Sequence, residues 1–391
     1  MYHNALRTFF PLEWQQQLVH GKNRIDRTTQ WIEYNGSFHG FERWLFFVNP
    51  LPVTDSPVTE ILAFEMSRFL YYQITIASLV VFSISHMQPV AGQSKLVKTT
   101  ITYREVDGHK IMADIYRPQG ESTRPVIVWI HGGALIMGGR EGIPAQISAL
   151  AEAKGYAMIS IDYRLAPETK LPEIISDIEA AFRWIAGEGA KQFHLNPDKI
   201  VVAGGSAGGY LTLVTGYRVQ PRPKALVSLY GYGELIGDWY STPSPHPRHN
   251  PKKISAEEAV SQTDGTVVSN ARERKGNGGL IYMHYRQNGL WPQEVSGFDR
   301  DTIAGKIARY EPVRNVTGDY PPTLLIHGNK DTDVPYEQST MMASQFKQHG
   351  VSYILKTIEN GEHGFGGGNA QQIDEAYKEM REFIVRHLEA N

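Results

Sequence analysis

The chain has 391 residues, 41% of them hydrophobic and 20% charged, with a formal net charge of -2. That size and balance suit one large domain with an insertion, or two domains, and leave no basic stripe to collect nucleic-acid phosphates. Cysteine is absent, which excludes disulfides, thiolate metal sites and a cysteine nucleophile.

Residues 1–65 show no clean period. Trp44 to Val48 is strand-like, and Pro50, Pro52 and Pro57 interrupt the stretch after it. This extension is assigned neither fold nor role. Met66-Ser67-Arg68 then opens a different pattern: a positive charge, a largely apolar stretch from Phe69 to Ile84, and the small residues Val90 and Gly92 at cleavage spacing. Residues 66–92 therefore read as a secretory signal peptide, with a buried core helix or a membrane anchor as the other readings, although so short and mixed a stretch is marginal for spanning a bilayer. The first predicts a secreted or periplasmic protein with no stable membrane partner after cleavage, whose natural start is Met66. The second predicts a cytoplasmic one.

From Lys98 the chain takes on an α/β rhythm. Lys98 to Val106 and Ile111 to Tyr116 are strands, and Asp107-Gly108 between them signals a hairpin. Val126 to Ile130 and Ala157 to Ile161 are continuous apolar runs, as expected of strands buried on both faces. Leu171 to Glu188 carries Ile174, Ile178, Ala181, Phe182 and Ile185 at helical spacing. Lys199 to Ala203 is a strand, Gly209 to Val219 a helix, and Ala225 to Leu229, Thr323 to His327 and Tyr353 to Ile358 are further strands. The last helix places Ile373, Tyr377, Met380, Ile384 and Leu388 on one face. The expected fold class is α/β: a mostly parallel central sheet with helices on both faces and chemistry at the carboxyl ends of its strands.

Three strand ends carry reactive residue types. Gly204-Gly205-Ser206-Ala207-Gly208 matches G-x-S-x-G between a strand and a helix, where glycines permit a sharp turn around a strained serine. A serine hydroxyl needs a base to become nucleophilic. The strand ending at His327 leads into Asp331 and Asp333, and the last strand leads into His363. The order Ser206, acid, His363 makes His363 the base in preference to His327, and leaves Asp331 and Asp333 competing as its partner. His131-Gly132-Gly133-Ala134 comes after the strand ending at Ile130. Its backbone suits an oxyanion hole, with Gly132 and Gly133 donating beside the N–H of Ala207.

Together with Asp162-Tyr163-Arg164-Leu165-Ala166-Pro167-Glu168, these motifs resemble the hormone-sensitive-lipase-like branch of the α/β-hydrolases, over residues 98–235 and 309–391. Gly328 to Pro335 is similar to the corresponding loop of prolyl-oligopeptidase-type hydrolases, a resemblance that selects Asp331 over Asp333. It implies carboxylic-ester hydrolysis through an acyl-enzyme, a triad of Ser206, Asp331 and His363, and no cofactor; a metal is disfavoured separately, because no histidine cluster supports Asp331 and Asp333 as ligands. Asp162 to Glu168 is expected to brace the sheet. Ala134 departs from the family, in which many members carry a third glycine.

Between Leu229 and Thr323 the chain is far longer than a plain crossover. Residues 236–308 contain Trp239, Tyr240, Tyr282, Tyr285 and Trp291, and are read as a cap over the site. Three functions compete. An esterase for a small-molecule ester leads. A serine peptidase or amidase would need an acidic anchor for a peptide's amino end, for which Glu257-Glu258 is the candidate pair. A non-catalytic binding protein would lack a triad residue, and this chain has all three.

Overall fold

The structure is a computed structural model that describes residues 95–390. The extension over 1–65 and the signal segment over 66–92 lie outside the described residues.

Eight strands form one sheet: β1 (Val97–Val106), β2 (His109–Arg117), β3 (Arg124–Ile130), β4 (Ala157–Ile161), β5 (Leu195–Gly205), β6 (Ala225–Leu229), β7 (Thr323–Gly328) and β8 (Tyr353–Ile358), in the order β1-β2-β4-β3-β5-β6-β7-β8. Only β2 runs against the others, antiparallel to both β1 and β4. The hairpin before it turns through Asp107 (φ 51°) and Gly108 (φ 80°), the left-handed pair that a tight two-residue hairpin requires.

Strand pleating sends alternate side chains to opposite faces. Val126, Val128 and Ile130 of β3 join one buried cluster, Ile127 and Trp129 the other. The first face is covered by α2 (Leu171–Trp184) and α3 (Ala207–Arg218), the second by α1 (Ala145–Lys154) and the carboxyl-terminal α7 (Ala370–Glu389). α7 buries Ala376, Met380, Phe383, Ile384 and Leu388, with Ile373 and Tyr377 packed beside them. The predicted helix over 171–188 is regular only to Trp184. It widens into a π turn over Ile185–Gly189, where a side chain on Gly189 would meet the Trp184 ring at 2.7 Å.

The chain leaves β3 for β4 on one side and later returns to β5 on the other. The crevice outside the carboxyl ends of β3 and β5 is thus a topological switch point, where such sheets bind ligands. The insertion between β6 and β7 contains α4 (Gly279–Asn288), α5 (Trp291–Ser296) and shorter helical turns. It has no separate core: Tyr240, Ile281, Tyr282, Trp291 and Val295 belong to the same buried cluster as β3, α2 and α3. The last crossover helix, α6, spans Glu337–Gln348.

Candidate active site

Ser206 sits between the end of β5 and the first residue of α3, with φ 56° and ψ -122°. A side chain rarely accepts that backbone, and glycine neighbours make it possible. A Cβ on Gly204 would lie 2.2 Å from the Gly208 carbonyl oxygen, and one on Gly208 would lie 2.0 Å from that of Ile130. The turn thus holds Ser206 at the amino end of α3, where helix dipoles favour negative charge.

The structure brings Ser206, His363 and Asp331 into one hydrogen-bonded chain. Ser206 Oγ lies 3.0 Å from His363 Nε2, and His363 Nδ1 lies 2.7 Å from Asp331 Oδ2. The other oxygen of Asp331 accepts the backbone N–H groups of Asp333 (2.8 Å) and Val334 (2.9 Å), which fixes the carboxylate's rotation. Burial pushes the Asp331 carboxyl up, but bonds from His327 and His363 overcome this and hold it down at about 2. Burial acts against a charged His363, yet the bond to Asp331 and the charges of Asp333 and Asp331 raise its pKa above 6.5. The Tyr230 ring meets the His363 ring edge-on at 4.8 Å and fixes its tilt.

The two other histidines near strand ends are structural. His327 is fully buried. Its Nε2 faces Asp331 Oδ2 (3.2 Å) and the Val334 carbonyl (3.0 Å), both acceptors, so Nε2 carries a proton, and Nδ1 lies 2.7 Å from Ser339 Oγ. His131 stacks on Tyr163 at 4.3 Å, and burial lowers its pKa to about 4, so it is neutral.

Gly132 lies against the serine turn: a Cβ there would approach the Gly205 carbonyl oxygen to 2.6 Å and Ser206 Cβ to 3.2 Å. Gly133 has φ 109°, a glycine conformation, and its carbonyl accepts the N–H groups of Ile136 and Met137. The N–H groups of Gly132, Gly133 and Ala207 donate to no other group among the described residues, which leaves donors free beside Ser206.

Asp162 to Glu168 braces more than the sheet. Asp162 accepts from Arg140 and from Asn270 of the insertion. Tyr163 donates to the His131 carbonyl at 2.9 Å, Arg164 pairs with Asp177 at 2.8 Å, and Glu168 binds Arg274 and Thr263 of the insertion.

Sequence reasoning missed how Asp333 is used. Its Oδ1 accepts from Tyr282 and lies 2.9 Å from His249 Nε2, while Oδ2 lies 3.8 Å from His363 Nε2. Burial opposes its ionisation, but these partners and the charges of His363 and Arg286 hold its carboxyl far below the usual range. Arg248 adds a second tie, 2.5 Å from Glu362 and 3.6 Å from Asp333. The insertion thus grips the acid loop directly beside His363. No sequence motif marks this, because Tyr282, His249 and Asp333 meet only in the fold. Among the described residues no group of His, Asp or Glu side chains converges to hold a metal ion.

The BD-FAE family model matches residues 113–232, which include Gly132, Gly133 and Ser206. The prolyl oligopeptidase family model matches residues 280–391, which include Asp331 and His363. A non-reducing polyketide synthase, Preu6 of Preussia isomera, is 30% identical over 320 residues, covering 72% of this chain but 14% of that protein. The chain therefore spans about one seventh of the length of the curated relatives it matches. A Staphylococcus aureus protein of unknown function superposes with a TM-score of 0.60 at 24% identity, over 75% of this chain and 99% of that one. Thermogutta terrifontis esterase 2, phosphorylated by paraoxon, superposes with a TM-score of 0.52 at 20% identity, over 74% and 94%. At these identities the structural likeness speaks to the fold.

Proposed function

We propose that this chain, a member of the α/β-hydrolase superfamily of serine hydrolases, cleaves carboxylic esters through an acyl-enzyme. The observation that carries the reading is the hydrogen-bonded chain from Ser206 Oγ through His363 to Asp331.

In this reading His363 Nε2 takes the Ser206 proton as Oγ attacks the ester carbon. The carbonyl electron pair moves onto oxygen, which is met by N–H groups from Gly132, Gly133 and Ala207. One such donor is worth about 3–4 kcal/mol of barrier. Collapse breaks the carbon–oxygen bond, and the leaving alcohol takes its proton from His363. Water then repeats the sequence on the acyl-serine, which releases the acid and restores Ser206. Asp331 keeps the proton on Nδ1 and stabilises the imidazolium.

Of the two carboxylates that could anchor a peptide's amino end, Glu258 is already engaged. That carboxylate closes a capping box with Ser255 and pairs with Lys252 at 3.0 Å, so its own helix turn occupies it. The test is hydrolysis of a p-nitrophenyl acyl ester series beside S206A. Activity that disappears in the variant supports the reading, and its chain-length profile sizes the acyl pocket. Inactivity on every ester, with cleavage of amides, replaces it by the amidase reading. A further expectation comes from the paraoxon-modified esterase: paraoxon should phosphorylate Ser206.

A further inference from the structure

The insertion holds a cation that the ester chemistry does not use. Arg286 on α4 is 2% exposed, and its guanidinium makes no hydrogen bond or ion pair among the described residues. Nε and Nη1 are both buried without an acceptor. Aromatic faces surround it instead, with ring centres at 4.8 Å (Tyr240), 5.5 Å (Trp239) and 6.0 Å (Tyr282). Rings attract the cation but do not satisfy the N–H groups in its plane. One more donor in the same cluster, Trp239 Nε1, is buried and unpartnered. Asp333, the ionised carboxylate whose field Arg286 shares, is taken by Tyr282 and His249 and makes no ion pair with Arg286. The cluster is thus rich in donors and short of an acceptor, a costly arrangement that a bound anion would relieve.

Its position ties it to the candidate site. At one end Trp291, stacked on Tyr240 at 4.0 Å, donates Nε1 to the Ala134 carbonyl at 2.9 Å on the loop after β3. At the other end Tyr282, one helical turn before Arg286, bonds Asp333 beside His363. The aromatic cluster around the cation is thus bonded to both loops that flank Ser206.

We propose that Arg286 is a specificity-determining cation for substrates that carry a carboxylate besides the ester. These are half-esters of dicarboxylic acids or esters of carboxylated alcohols. The inference rests on the ester reading of Ser206. A guanidinium fork receives a carboxylate through two parallel bonds, and Trp239 Nε1 can supply a third.

The experiment uses two acids, mono-4-nitrophenyl glutarate (charge on the acyl side) and 4-acetoxybenzoate (charge on the alcohol side), each beside its neutral methyl ester. The expected result is a kcat/KM preference of about ten- to hundredfold for one acid over its neutral counterpart, carried mainly by KM. The side that shows it identifies the pocket Arg286 serves. R286M should collapse that ratio, and R286K should restore part of it. Equal rates on acid and neutral esters, or a ratio that survives in R286M, would overturn the proposal. If R286M does not fold, the wild-type ratio decides. Binding is read apart from turnover by calorimetric titration of monomethyl glutarate and 4-acetoxybenzoate into S206A. Should no ester be cleaved, the ester reading fails, and heat of binding that S206A/R286K weakens still supports the cation site. No heat from either acid overturns it.

Discussion

The carboxylate of Asp333 lies 3.8 Å from Nε2 of His363, the ring nitrogen that meets Ser206, while Asp331 holds Nδ1 at 2.7 Å. The base therefore sits between two carboxylates, and both raise its pKa against the pull of burial. Below that pKa His363 is protonated and cannot take the Ser206 proton, so activity falls as pH drops through it. The acid limb of kcat/KM should lie above the ordinary imidazole value of 6.5. D333N removes one of the negative charges and should move the limb downward. A pH–rate profile of both proteins checks this, and coincident limbs would contradict it.

D331N should behave differently. An asparagine oxygen can still accept the N–H groups of Asp333 and Val334, which points its amide nitrogen at His363 Nδ1. That donor forces the proton onto Nε2, where the base must be free. The expected loss in kcat is about 10⁴-fold, and steady-state kinetics beside D333N should show the larger kcat defect in D331N.

G132A places a methyl group 2.6 Å from the Gly205 carbonyl oxygen, a backbone atom that cannot swing aside. The loop after β3 must back away from Ser206. A kcat reduction of about 10²–10³, the loss expected for one oxyanion donor, should accompany a lowered Tm. Kinetics and thermal unfolding of the same preparation test both parts.

W291F keeps a ring against Tyr240 but removes the only side-chain donor to the Ala134 carbonyl among the described residues. A buried acceptor left without its partner costs about 1–3 kcal/mol. Urea unfolding should show that loss as a lower midpoint at an unchanged slope.

How much of this was legible in the sequence depends on the range of each interaction. The serine turn is local: a strand, glycines around Ser206 and a helix are contiguous, so residues 204–209 announced it. The helix starts at Ala207 rather than Gly209 because it begins directly after the strained serine. The choice between Asp331 and Asp333 was not legible from the residues themselves, since both lie on one short loop. It is made by a turn in which Asp331 accepts the next two available backbone N–H groups, and by Tyr282 and His249 claiming Asp333 from 51 and 84 residues away. The insertion was legible by its length and position, but not in its elements. Most are turns of three to six residues, too short for a hydrophobic period to develop. No pattern in the sequence marks Arg286, because its cage is assembled from Trp239, Tyr240 and Tyr282, which only the fold brings together.

The claim that Ser206 is the nucleophile is tested most directly by labelling with paraoxon and then locating the label by peptide mass spectrometry. One phosphoryl group per chain is expected, located on Ser206 and absent from S206A, with loss of esterase activity in step with labelling. A label on another residue, or full activity in a chain labelled at Ser206, would contradict it.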